Sequence, residues 1–151
     1  MFFARLLYKL IKLALYLAFV GAAIYYTPRI LSKTLDTPYP LATITSGSMW
    51  PTLKENDLIL MRGASGNDVK IGEIIVFENQ RGFTIHRLIR REDDGTLVTK
   101  GDANNVEDQP IHPEDVVGRV MYIGDKIVKV PQIGIIARHL GPRIQQEVQK
   151  L

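Results

Sequence analysis

The sequence predicts a mainly β protein: a compact antiparallel β-domain behind a single amino-terminal transmembrane helix, with a short amphipathic helix at the carboxyl end. Three observations predict it. An apolar run without acidic residues opens the chain, short β-rich runs divided by turn signals fill residues 41–130, and apolar residues at helical spacing close it. With 151 residues, 46 % hydrophobic and 23 % charged, the chain suits one domain plus an appended element. That composition excludes a disordered chain and a multi-span membrane protein. Cysteine is absent, which excludes a disulfide scaffold, a thiolate metal site and a cysteine nucleophile.

The net charge of +3 is unevenly placed. Residues 1–33 carry +5 from Arg5, Lys9, Lys12, Arg29 and Lys33, residues 34–137 carry −4, and residues 138–151 carry +2. The basic ends therefore suit anionic headgroups better than nucleic acid.

Residues 13–28 are sixteen uncharged, mostly apolar positions. As a helix they span about 24 Å, and extension back to Leu6 reaches the ~30 Å hydrocarbon core if Lys9 and Lys12 snorkel. Tyr25 and Tyr26 then sit at the far interface, and residues 1–5 form a short cytoplasmic terminus. Val20-Gly21-Ala22 offers the small residues of a cleaved signal peptide. The apolar run continues past them through Tyr26, which favours a retained anchor over 6–27. A linker with Pro28, Pro38 and Pro40 follows over 28–40.

The body, 41–131, is read as strands over 41–45, 57–61, 73–78, 83–91, 97–100, 116–123 and 126–130. Gln80-Arg81-Gly82 and Asp93-Asp94-Gly95-Thr96 are hairpin turns, the second with the Asp-Gly preference for positive φ. In the tail, 132–151, Ile133, Ile136, Leu140, Ile144, Val148 and Leu151 recur at steps of three and four, interrupted at Gly141-Pro142. This amphipathic helix either packs on the body or lies on anionic lipid.

Ser46-Gly47-Ser48-Met49-Trp50-Pro51-Thr52 carries the chemistry. Gly47 permits a sharp turn beside Ser48 and Pro51 fixes the exit. One hydroxyl can act as nucleophile while the other, or a backbone N–H, faces a developing oxyanion. The bland alternative is a Ser-Gly turn closed by proline.

Residues 46–52 resemble the nucleophile box of type I signal peptidases. Gly72-Glu73-Ile74-Ile75-Val76-Phe77 resembles the strand that follows, and Ile85-His86-Arg87 resembles the general-base box. Thr99-Lys100-Gly101-Asp102-Ala103-Asn104 with Asp108, then Asp115-Val116-Val117-Gly118-Arg119, resemble the carboxyl-terminal boxes. The blocks run in family order behind an anchor. The base position holds His86, as in the archaeal and endoplasmic-reticulum branch, where the bacterial branch has lysine. The resemblance implies Ser48 as nucleophile, His86 as general base, Asp108 as the carboxylate that orients the histidine, Asp102 as a second important carboxylate, and Ser46 with Ser48 at the oxyanion hole. Ala103 stands where the family often has asparagine, so any role of that side chain is lost. His112 and His139 match no motif position.

The resemblance further implies a membrane-bound serine endopeptidase that removes signal peptides of exported preproteins after small residues, on the extracytoplasmic face, or the lumenal face in a eukaryote. Its implied partners are signal peptides, the lipid bilayer and secretion machinery. Neither a cofactor nor a metal is expected. Met49 and Trp50, beside the nucleophile, are candidate substrate contacts. The chemistry agrees: a serine hydroxyl needs a base to take its proton, and imidazole suits that task near neutral pH. Three alternatives remain: a self-cleaving or maturation protease on the same fold, which would show a lysine base such as Lys100; an inactive membrane-tethered scaffold; and a nucleic-acid module built on Arg87, Arg90 and Arg91, whose affinity would fall steeply with salt. His-Glu-x-x-His and Gly-x-Ser-x-Gly are both absent.

Overall fold

A computed structural model describes residues 2–80 and 82–135, in two units that meet at Thr34 and Leu35. The first is one helix, α1 (Phe2–Thr34). Its stretch Arg5–Thr34 is long and apolar enough to cross a membrane, and at ~1.5 Å per residue runs about 45 Å. Leu15, Phe19 and Ile24 are each more than 60 % exposed, an arrangement that lipid favours and water penalises.

The helix outlasts the expected anchor, because residues 28–34, expected as linker, are helical. Pro28 lacks an N–H and forfeits one helical bond, yet its fixed φ suits the helix. One residue on, the Arg29 guanidinium donates to the Tyr25 carbonyl at 2.9 Å. It also lies 3.7 Å from the centre of the Tyr25 ring, and these contacts bridge the turn that Pro28 weakens.

The second unit is an antiparallel sheet of β1 (Leu41–Thr43), β2 (Leu58–Arg62), β3 (Ile74–Asn79), β4 (Gly82–Arg91), β5 (Leu97–Lys100), β6 (Val116–Val120) and β9 (Lys129–Val130). The order is β1-β2-β6-β3-β4-β5, with β9 also on β2. Central β3 reads Ile-Ile-Val-Phe because both its faces are buried. Ile74 belongs to a cluster with Ile44, Met49, Leu53, Ile59 and Val120. Ile75 and Phe77, one step out of phase with Ile74, belong to another with Val69, Leu88, Leu97 and Val116.

The expected 97–100 strand matches β5, whereas the 116–123 and 126–130 runs each divide. At Met121 the backbone changes partners: its N–H goes to Leu60 and its carbonyl accepts from Val128. A small hairpin of β7 (Tyr122–Ile123) and β8 (Lys126–Ile127) turns at Gly124 with φ +60°, and β9 returns to β2. Both expected hairpin turns are present: Asn79 pairs with Gly82, and Gly95 takes φ +87° in the second. There Asp94 Oδ1 accepts from the Thr96 N–H and hydroxyl. The expected tail helix lies outside the described residues beyond Ile135.

Candidate active site

Residues 46–52 leave the sheet after β1 as a run of turns, tied by Trp50 N–H to the Gly47 carbonyl and Leu53 N–H to the Met49 carbonyl. Met49 points inward, 1 % exposed. That orientation leaves half-buried Ser48 at the rim, with Ser46 exposed beside it. Gly47 does not need to be glycine for backbone reasons, since a Cβ there meets open space and its φ is not positive. Glycine is needed at Gly101, where a Cβ would lie 2.6 Å from the Ser48 carbonyl oxygen. The same carbonyl accepts the Ala103 N–H at 2.8 Å. The loop after β5 therefore grips the Ser48 segment through its backbone.

His86 reaches Ser48 from β4. It is 8 % exposed and lies opposite Ile75 of β3. Its Nε2 is 3.0 Å from Ser48 Oγ and its Nδ1 is 2.6 Å from Asp108 Oδ2. An ionised carboxylate can only accept, so Nδ1 carries the proton, Nε2 is the acceptor, and Ser48 donates to it. Ser46 Oγ, 3.1 Å from Ser48 Oγ, then donates to Ser48. Asp108 is held in turn by Thr99, whose hydroxyl donates to Oδ2 at 2.6 Å. Sequence reasoning gave Thr99 no role; a polar residue amid Leu97 and Val98 of a buried strand was the available signal.

Asp102 lies apart from this chain of bonds. Its two oxygens take Arg87 Nε and Nη2 at 2.8 and 2.7 Å, and Arg87 Nη1 donates to the Gly72 carbonyl at 2.7 Å. Burial pushes the Asp102 carboxyl up, but the Arg87 bonds, the Thr52 hydroxyl and the Arg87 charge outweigh it and hold the carboxyl below the usual range. Asp102 therefore braces the loop that grips Ser48, with Arg87 rather than His86 as its hydrogen-bond partner.

Met49 and Trp50 separate. Met49 lies in the core, because the turn at Gly47 directs it inward, so as a substrate contact it is corrected to a packing residue. Trp50 remains 59 % exposed. The three arginines weighed for nucleic acid are all engaged: Arg87 with Asp102, Arg90 with Glu92 and Glu107, and Arg91 with the Gly66 carbonyl. Lys100 lies opposite Arg87 at the end of β5, and no bond joins it to Ser48 among the described residues. No group of three or more His, Asp or Glu able to hold a metal occurs among the described residues.

A second ionic site lies at the end of the Ser46–Thr52 segment. Lys129 Nζ donates to the Thr52 carbonyl at 3.0 Å and to Asp57 Oδ2 at 2.7 Å, and the Lys54 N–H adds a bond to the same oxygen. Asp57 is 1 % exposed. Burial raises its carboxyl, yet the Lys129 and Lys54 bonds hold it below the ordinary value. Neither residue was singled out from sequence, since the pair is 72 positions apart.

Residues 21–121 match the family model described as Peptidase S24-like. The signal peptidase complex catalytic subunits SEC11 of Metarhizium acridum and Sclerotinia sclerotiorum are each 33 % identical over 115 residues. That match covers 70 % of this chain and 66 % of each relative. The subunit of the same name from Pyrenophora teres is 37 % identical over 109 residues, 60 % of this chain and 61 % of its own. On the match over residues 21–121, the chain belongs to the Peptidase S24-like family.

Proposed function

We propose that the protein is a membrane-anchored serine endopeptidase that removes signal peptides from exported preproteins, with Ser48 as nucleophile and His86 as general base. The continuous hydrogen-bonded series Ser48–His86–Asp108 carries this reading, and the printed names of the SEC11 relatives support it. Ser48 Oγ attacks the scissile carbonyl carbon as its proton passes to His86 Nε2. Asp108 stabilises the imidazolium, and His86 then gives the proton to the departing amine. Water, deprotonated by His86, hydrolyses the acyl-enzyme and restores Ser48. Ser46, beside the attacking oxygen, rotates to donate to the developing oxyanion.

The sheet offers the substrate a place to pair. β5 ends at Lys100 opposite Arg87, so among the described residues β3 is the one strand paired with the β4 segment before Arg87. Leu88 turns its backbone groups toward Gly72 and Glu73. By alternation, Ile85 and Phe83 present theirs to the open edge. An extended peptide added there gains main-chain bonds beside His86, and shallow pockets for alternate side chains accept only small residues. The anchor keeps the site close to the bilayer that holds the substrate's apolar segment, which raises effective concentration. The amino terminus is cytoplasmic, the catalytic unit lies on the extracytoplasmic or lumenal side, and partner subunits of a signal peptidase complex join it there.

Cleavage of a preprotein in liposomes by the full chain tests the reading. Ser48→Ala and His86→Ala abolish cleavage, and Lys100→Ala leaves most of it. Loss with Lys100→Ala alone would assign the base to lysine and favour the maturation-protease class.

A further inference from the structure

We propose that Thr99 is a positioning residue of the reaction, whose buried hydroxyl fixes the Asp108 carboxylate under the His86 ring and shares its charge. The inference rests on Ser48 and His86 as the reacting pair. Thr99 is wholly buried and lies opposite Leu88 across the β4–β5 ladder. Cross-strand partners share a face and residues two apart on a strand share a side, so Thr99 and His86 are diagonal neighbours on one face.

Thr99 holds Asp108 at two points. Its carbonyl accepts the Asp108 N–H at 2.9 Å, and its hydroxyl donates to Asp108 Oδ2 at 2.6 Å. That oxygen is the one that takes His86 Nδ1. The backbone bond sets where the Asp108 main chain sits, and the hydroxyl bond sets the rotation of its carboxylate. A packing role would be served equally by valine, which has the same shape and no hydroxyl to satisfy in the core.

The charged groups acting on the ring come from few directions. Asp108 contacts it from the segment after β5. Asp102 lies in the loop after β5, with both oxygens on Arg87, which neighbours His86 on β4. Asp108 is therefore the carboxylate hydrogen-bonded to the ring, and Thr99 is the group that shares its charge with the imidazole. Without the hydroxyl, the carboxylate turns more freely, so the ring is less well aimed at Ser48 Oγ and proton transfer slows. The charge freed from the hydroxyl also favours the imidazolium at rest and leaves less free base at low pH.

The test is the pH dependence of kcat and kcat/KM for cleavage of a signal-sequence preprotein by the full chain, comparing Thr99→Val, Thr99→Ala and Thr99→Ser with the parent. Both variants without a hydroxyl are expected to lose about tenfold or more in kcat with little change in KM. The acid limb of their kcat/KM profiles moves upward by about half a unit or more, and Thr99→Ser restores both. Thr99→Ala keeps the test open if Thr99→Val fails to fold. Unchanged kcat, an effect on KM alone, an acid limb that stays put or moves down, or a Thr99→Ser as impaired as Thr99→Val would overturn the proposal. A parent enzyme that cleaves preproteins and is silenced by Ser48→Ala would then leave the proposed function standing without this role for Thr99.

Discussion

At the scale of single residues, the site is a proton order imposed by one carboxylate. Because Asp108 can only accept, His86 Nδ1–H, Ser48 Oγ–H and Ser46 Oγ–H all point one way along the series. Ser46 thus donates to Ser48, and the proposed function has it turn when negative charge develops on the substrate oxygen. Ser46→Ala should therefore lower kcat by about tenfold to a hundredfold and leave KM nearly unchanged, as for other donors to an oxyanion. Steady-state kinetics on one preprotein measures it; an equal rise in KM with kcat intact would make Ser46 a binding residue. That Ser48, His86 and Asp108 meet was legible because each lies in a short motif whose order along the chain carries information. Thr99 was not, because a threonine in a strand is ordinary β composition and only its partner reveals its use. Met49 was misjudged for a related reason: adjacency to a nucleophile says nothing about which way the next side chain turns.

Between elements, the segment that carries Ser48 is held at two points by chain that is distant in sequence. The loop after β5 takes the Ser48 carbonyl through the Ala103 N–H. From the other side Lys129 of β9 takes the Thr52 carbonyl and the buried Asp57 together. Lys129→Met keeps the aliphatic stem and removes the cation, which leaves the Asp57 carboxylate buried with fewer donors. Such a loss costs about 1–3 kcal/mol once the partial exposure of Lys129 is discounted. Thermal unfolding should show a lower midpoint for Lys129→Met, and Asp57→Asn in the same chain should recover part of the loss by removing the unpaired charge. A double variant as unstable as the sum of the singles would mean that the two residues act independently. The run 116–123 was legible as β, but its division at Met121 was not. A strand's composition does not say where it changes partners, and Met121 changes them because Leu60 and Val128 lie on either side of it.

Across the whole molecule, the charge pattern separates two tasks. The +5 of residues 1–33 belongs to the helix and its flanks, and the −4 of residues 34–137 belongs to the sheet unit. The helix was legible from its apolar run, although its passage through Pro28 was not, since proline marks a boundary more often than a helix interior. In the sheet unit two acids, Asp57 and Asp102, are held below their ordinary range by Lys129 and Arg87 against the opposing effect of burial. A carboxyl depressed in the folded state contributes stability that is present above the unfolded value, about pH 4, and is lost as pH falls through the folded value. The unfolding midpoint of the full chain in detergent should therefore hold near neutral pH and fall steeply below about pH 4. Asp57→Asn should lower the midpoint at neutral pH and flatten the acid decline, because one of the two titrating anchors is gone. An acid decline as steep in Asp57→Asn as in the parent would place the sensitivity elsewhere and deny Asp57 its share. The position of Asp57 behind Thr52 adds a consequence for activity. The Lys129 ammonium that Asp57 holds in place also donates to the Thr52 carbonyl, so removal of the Asp57 charge loosens the segment that carries Ser48. Cleavage of one preprotein by Asp57→Asn at neutral pH should therefore show a lower kcat than the parent while the sheet unit is still folded. A kcat equal to the parent's would show that the Lys129 bond to Thr52 does not depend on Asp57.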